Sequence, residues 1–230
     1  MIDIILLTYN DIDNTAQCVN HLYKFTDDFN LTILDNDSTD GTKEYLERLS
    51  KHEDNLTLFF SEKNLGIIDG RNKAYELSKN SEYVCFIDND QFVERGWLES
   101  YLEFFNSGFD IVGIEAWIMR EKDFYPIKKI SDHNDSFSYV GCGGMALRRS
   151  VIKDIGLFDE RYEKCYFEDP DINWRAYKEG YKIGWNYNPV IEHHHSGPLL
   201  SKENRKYFME NWKKFRDKWK GSKVPVLKML

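Results

Sequence analysis

The chain has 230 residues, 41% of them hydrophobic and 30% charged, with a formal net charge of −8. That length and apolar content suit one large α/β domain with a real core and exclude a disordered chain. Apolar runs such as residues 4–7 fall far short of the roughly 20 residues a membrane span needs. Met1 opens directly on a strand-like run, so no cleavable leader is expected. Cys18, Cys85, Cys142 and Cys165 are scattered and form no CxxC pair, which disfavours a disulfide framework or zinc knuckle and points to a reducing, cytoplasmic setting. Charge is unevenly placed: from Ser201 onward ten Lys/Arg face three acids, whereas residues 1–200 carry 21 bases against 36 acids. An acidic body argues against nucleic-acid binding and is compatible with a site that holds cations.

Residues 2–7 (IDIILL) predict a buried strand ending in the polar turn Thr8-Tyr9-Asn10. Residues 15–25 then place Ala16, Val19, Leu22, Tyr23 and Phe25 on one helical face. A second strand at 31–34 runs into a polar stretch, residues 35–42, where Ser38 or Asp40 is expected to cap a helix carrying Tyr45, Leu46 and Leu49. A third strand at 56–60 is followed by the turn Asn64-Leu65-Gly66 and a helix with Ala74 and Leu77. The fourth strand, 83–87 (YVCFI), ends on Asp88-Asn89-Asp90. This alternation predicts a mostly parallel, doubly wound sheet whose strand ends gather along one edge. The polar turns at 8–10, 35–40 and 88–90 are therefore expected to converge on one crevice.

The second half is less regular. An amphipathic helix is expected at 97–105, a strand at 111–118, a charged excursion at 119–136 and a Gly-rich strand at 139–147. A helix at 171–178 closes at Gly180, and a strand at 183–191 follows. A domain over 1–200 with a basic helical tail over 201–230 is the expected organisation. The tail has two readings. Either its aromatic residues pack on the domain, or Lys206, Lys213, Lys214, Lys218 and Lys220 with Trp212 and Trp219 touch an anionic membrane.

Four constellations carry candidate chemistry. Asp88-Asn89-Asp90 puts two carboxylates at the end of a buried strand, where they make a turn or hold a hard cation such as Mg²⁺ or Mn²⁺. Asp35, also at a strand end, is placed to accept from a ribose hydroxyl. Glu168-Asp169-Pro170-Asp171 reads as a helix start, with Asp169 as N-cap and Pro170 at the first helical position, and equally as a fixed general base. His193-His194-His195 follows a strand; imidazole suits Mn²⁺ better than Mg²⁺, and alternation allows His193 and His195, but not His194, to face one site. The absence of GxGxxG, GxxxxGK[ST] and GxSxG disfavours dinucleotide, P-loop and acyl-transfer chemistry.

Taken together, LLTYN (6–10), LDNDSTDGT (34–42), NLGIIDGRNKA (64–74), FIDND (86–90), GCGGMALRRSVIKDIGLFDERY (141–162), FEDPDINWRAYKEGY (167–181) and IEHHHSG (191–197) resemble, in order and spacing, the family 2 glycosyltransferases of the GT-A fold, most closely the rhamnosyltransferase and cell-surface polysaccharide branch. The resemblance implies inverting transfer of a sugar from a nucleotide-diphosphate donor, UDP-linked by default, to a glycan or lipid-linked acceptor hydroxyl, with Mn²⁺ or Mg²⁺. Thr8, Asn10 and Asp35 would hold the nucleoside, and Asn64, Gly66 and Arg71 would shape the pocket near base and phosphates. Asp88, with Asn89 beside it, would contact ribose or sugar. Asp90 would ligate the metal with His193 or His195. Asp169 would be the base, with Glu168 in reserve. A cytoplasmic enzyme, with the basic tail at the inner membrane face, is the implied setting. The alternatives are a sugar nucleotidyltransferase, which would carry GxGTRxxP where this chain reads LLTYN, and a non-catalytic nucleotide-sugar-binding module.

Overall fold

A computed structural model describes residues 1–194 and 202–229. Its spine is a seven-stranded sheet in the order β11-β6-β10-β4-β1-β2-β3. β1 (Ile2–Thr8) lies between β2 (Phe29–Asp35) and β4 (Tyr83–Asp88), parallel to both, and β2 continues parallel to β3 (Leu56–Phe60). Beyond β4, β10 (Met145–Arg148) runs antiparallel between β4 and β6 (Ile111–Gly113), and β11 (Ile183–Trp185) closes the far edge parallel to β6.

β1 is apolar on both faces because both faces are covered. Ile2, Ile4 and Leu6 pack into one core with Cys18, Val19 and Leu22 of α1 (Ile12–Phe25), Leu46 of α2 (Thr42–Leu49), and Trp97, Tyr101 and Phe105 of α4 (Trp97–Asn106). Ile5 joins the opposite core, with Ile68 and Ala74 of α3 (Gly66–Leu77), Val151 of α5 (Arg149–Ile155), Ile172 and Trp174 of α6 (Glu168–Lys178), and Phe215 of α7 (Lys202–Lys218).

Three expected strands are each broken. The run 111–118 splits into β6 and β7 (Ala116–Met119), which belong to different sheets; β7 pairs with β8 (Pro126–Lys129) and β9 (Tyr139–Val140), so the charged excursion carries a small three-stranded sheet. The run 139–147 splits into β9 and β10 across residues 141–144, where Gly144 is left-handed. The run 183–191 splits into β11 and β12 (Ile191–His193), which pairs with β5 (Gln91–Val93). In the first two cases glycine-rich backbone turns where apolar continuity predicts extension.

α7 packs its aromatic residues inward. Phe215 and Trp219 are buried, and the Trp212 indole donates to the Asp123 carbonyl at 2.8 Å. Lys218 reaches Asp159 and Asp171, and Lys214 reaches Glu163, whereas Lys206, Lys213 and Lys220 are exposed. The wholly buried Asp171 joins α7 to α6: it accepts from Tyr162 Oη (3.0 Å), Trp219 Nε1 (3.0 Å), Arg175 Nε (2.8 Å) and Lys218 Nζ (2.9 Å). Removing one partner of a buried ion cluster leaves its donors unsatisfied. Asp171→Ala is expected to cost about 3 kcal/mol in urea unfolding, at the low end for such deletions because Lys218 keeps Asp159. A cost below about 1 kcal/mol would make the cluster no more than a surface salt bridge.

Candidate active site

Where β1, β2 and β4 end, their turns line a cleft of about 320 Å³ bounded by Leu7, Thr8, Tyr9, Asn36, Asn64, Gly66, Ile67, Arg71, Asp88, Asn89, Asp90 and His193. The crevice expected from the three polar turns is thus present, at the carboxyl edge of a parallel sheet. Thr8 Oγ1 shares a 2.6 Å hydrogen bond with Thr15, and Asn89 Nδ2 donates to the same Thr15 hydroxyl. Asn36 donates to Asn64 and to the Gly66 carbonyl, tying the β2 turn to the start of α3.

Asn10 and Asp35 are not among the residues lining the cleft. Asn10 sits at the rim in a left-handed conformation, its side chain accepting from Thr39 N at 2.7 Å. Asp35 is buried; one oxygen accepts from Ser38 N and the other has no hydrogen-bond partner. Asp40 satisfies the first amide of α2 with its side chain, accepting from Thr42 N at 3.1 Å, although it is not at the N-cap position. It also accepts from the Thr42 hydroxyl and from Ile12 N at the start of α1, while left-handed Gly41 occupies the N-cap position.

One oxygen each from Asp88 and Asp90 and a ring nitrogen of His193 lie within 4.8 Å of one another. The register explains this convergence. β12 pairs antiparallel with β5 so that His193 stands opposite Gln91, next to Asp90, and His193 Nε2 lies 3.3 Å from Asp90 Oδ1. His194 points the other way, toward Glu192, and His195 lies outside the described residues. The sequence gives no signal for Glu115, which stands 3.7 Å from His193 Nδ1 and 2.5 Å from Lys129 Nζ. Burial would raise the Glu115 carboxyl, but hydrogen bonds from His193 and Lys129 outweigh it and bring it down to about 2. Burial would likewise lower His193, but Asp90 and Glu115 lift it to about 9. Two carboxylates and an imidazole form a donor set suited to Mn²⁺.

On the other side, Arg71 of α3 is buried and pairs with Asp88 Oδ1. Gly143 is there for space: a Cβ would collide with the other Asp88 oxygen. A Cβ on Gly141 would sit 3.8 Å from Glu115 Cβ and 3.9 Å from Asp169 Oδ2, so residues 141–143 run between the Asp169 side of the site and the Asp88 side.

Glu168 and Asp169 do not line the cleft but abut it behind that glycine run. α6 starts at Glu168 after a left-handed Phe167, so Asp169 is the second helical residue and not the N-cap, and Pro170 is the third. Asp169 Oδ1 and Glu168 Oε2 are buried without hydrogen-bond partners. Burial pushes Asp169 up, against the Cys142 thiol and Arg71. Glu168 is raised as well, by burial and then by Asp169 beside it.

The comparisons with known proteins agree with this geometry. Residues 3–156 match the family model "Glycosyl transferase family 2". The chain belongs to that family. It is 26% identical over 221 residues to glycosyltransferase AglE of Haloferax volcanii, across 89% of this chain and 71% of AglE. Among solved structures it resembles S. aureus TarS 1–349 in complex with UDP-GlcNAc (TM-score 0.64, 20% identity, 90% of this chain and 64% of that one). It also resembles the mannosyltransferase PcManGT of Pyrobaculum calidifontis with GDP-Man and Mn²⁺ (TM-score 0.64, 19% identity, 80% and 54%). The chain therefore spans between half and two thirds of the length of these two solved neighbours. The fold is GT-A and the protein is a glycosyltransferase, which sets aside the nucleotidyltransferase alternative. Among the described residues no helix is long and apolar enough to cross a membrane.

The raised carboxyl pair has a stability consequence. The folded protein keeps protons on Glu168 and Asp169 that the unfolded chain releases, so stability falls as pH rises from the ordinary carboxylate range to the raised values, and levels off above them. Glu168→Gln removes one such group. Its Tm is expected to exceed wild type at pH 8, by about 2–4 °C per kcal/mol relieved, and to converge with it near pH 4. An equal or lower Tm at pH 8 would contradict the burial argument.

Proposed function

We propose that the protein is an inverting glycosyltransferase that uses a nucleotide-diphosphate sugar and a divalent cation. The observation carrying this reading is the meeting of Asp88, Asp90 and His193 at one cleft that the glycine run 141–143 separates from the half-buried Asp169. Asp90 and His193 would hold the cation, with Asp88 at hand; His195 is the other candidate ligand. When bound, the cation stabilises the charge that grows on the departing diphosphate without a proton transfer to it.

The chain's own residues do the rest. Thr8, Asn10 and Asp35 hold the nucleoside; the unpartnered Asp35 oxygen supports a donor group arriving from the ligand. Asn64, Gly66 and Arg71 shape the pocket toward the phosphates, and Arg71 pairs with Asp88 and orients it toward ribose or sugar, beside Asn89. Asp169 accepts the proton of the acceptor hydroxyl as its oxygen bonds to the anomeric carbon from the face opposite the breaking sugar–phosphate bond. One displacement of this kind inverts the anomeric centre. Glu168, whose carboxyl is raised by burial and by Asp169 beside it, is the reserve base.

A UDP-sugar is the first donor to test, since the TarS neighbour binds UDP-GlcNAc, although PcManGT binds GDP-Man. The acceptor is a hydroxyl of a glycan or lipid-linked glycan. A membrane contact would be electrostatic, through exposed Arg205, Lys206, Lys213 and Arg216 of α7 and Lys220 just after it, because Trp212 and Trp219 are engaged with the domain.

With a donor panel and Mn²⁺, Asp169→Asn is expected to bind donor as wild type does but to lose transfer by about 10²–10⁴-fold, and Asp90→Ala to lose metal-dependent turnover. Thermal shift with donor and Mn²⁺ reads binding, and nuclear magnetic resonance of the product reads anomeric configuration. Full transfer by Asp169→Asn, or a retained configuration, would overturn the assignment.

A further inference from the structure

α7 lies beyond the residues matched by the family model, yet it reaches the loop beside the site, through Phe208 and Phe215 on Phe167, Lys214 on Glu163 and the buried Asn211. Asn211 is wholly buried and makes four hydrogen bonds to a single loop. Its Oδ1 accepts from Glu163 N (3.1 Å), and its Nδ2 donates to the carbonyls of Glu163 (2.9 Å), Cys165 (2.8 Å) and Tyr166 (3.3 Å). In that loop Lys164, Tyr166 and Phe167 are left-handed, with φ of 62°, 74° and 71°. None is glycine, so each is held there only by its surroundings.

The loop touches both halves of the site. On the donor side, the Lys164 carbonyl accepts from Ile67 N (2.7 Å) and Ile68 N (3.4 Å), capping two otherwise unpaired amides in the first turn of α3, the helix that carries Arg71 to Asp88. Contact is tight enough that a Cβ on Gly66, itself at φ +84°, would lie 2.8 Å from Lys164 Cα, and Lys164 Nζ donates to the Asn64 carbonyl. On the acceptor side, the loop runs directly into Glu168 and Asp169, and the Phe167 carbonyl accepts from Asp171 N. Asn211 is therefore the joint through which one strained loop sets α3 against the start of α6.

We propose that Asn211 is a positioning residue for sugar transfer, holding residues 163–167 so that Arg71–Asp88 and Asp169 keep their mutual geometry. The catalytic part of this inference rests on Asp169 being the base; the clamp itself does not. Displacement of a reacting group by about 1 Å costs on the order of 10²-fold in rate.

The test compares Asn211→Ala with Trp212→Phe, a change on the same helix at a side chain that meets Asp123 and Tyr125 instead of the loop, at temperatures equally far below their Tm values. Hydrogen exchange of peptides covering 66–70 and 163–170 reads the clamp without any substrate. Asn211→Ala is expected to speed exchange in both peptides by about 10-fold or more and to lower kcat by about 10²-fold, while Trp212→Phe does neither. Asn211→Ser, which keeps a shorter donor, is expected to fall between, and substitutes if the alanine variant does not fold. Unchanged exchange in both peptides overturns the clamp. Faster exchange with kcat within about 3-fold of wild type overturns the positioning role, as does Trp212→Phe reproducing both effects. If Asp169→Asn transfers normally, the base assignment fails, and the exchange result still decides the clamp.

Discussion

The site depends on one buried guanidinium among acids. Arg71 pairs with Asp88 and feels Glu168 and Asp169 in the same field, while Asp90 and Glu115 flank His193. Grouped carboxylates repel one another and lose hydration on burial, so they survive only by protonation, by hydrogen bonding or beside positive charge. Each device is visible. Glu168 and Asp169 are pushed toward the protonated form, Glu115 is held ionised by His193 and Lys129, and Asp88 is neutralised by Arg71. Asp90 has His193 for its neighbour, the pairing that a divalent cation would replace. On the proposed reading, the same crowding that costs stability would supply both a cation-binding end and a proton-accepting end.

Much of this was legible in the sequence because parallel sheets have a strict grammar. Buried strands on both faces read as apolar runs, and the residues just after them fall on one edge. Thr8, Asp88 and Asp90 could therefore be assigned to a common crevice from position alone, and strand alternation separated His193 from His194. Legibility fails where backbone geometry overrides apolar continuity. The runs 111–118, 139–147 and 183–191 each look like one strand and are each two, because Gly113, residues 141–144 and the Asn186–Pro189 stretch end the pairing. Asp169 is misread as an N-cap because nothing in Cys165-Tyr166-Phe167 announces left-handed residues; that conformation comes from α7, some 45 residues away along the chain. Glu115 carries no local signal either, since its role is set by a small sheet that forms inside an apparently charged excursion.

The basic tail shows how a compositional feature divides once folded. Its aromatic residues and Lys218 close the core and the Asp171 cluster, Asn211 reaches the loop beside the site, and Arg205, Lys206, Lys213, Arg216 and Lys220 are exposed. The charge asymmetry between tail and body is thus partly internal: acids of residues 1–200 hold bases of the tail.

The account turns on whether the Asp88–Asp90–His193 cluster holds a cation at the mouth of the donor cleft. Diffraction from crystals grown with Mn²⁺ and UDP, recorded on both sides of the manganese absorption edge, tests this directly. The account predicts an anomalous peak in coordination distance of Asp90 and His193, with the diphosphate beside it. A nucleotide bound in the cleft with no manganese at those side chains, or manganese bound elsewhere, would contradict it.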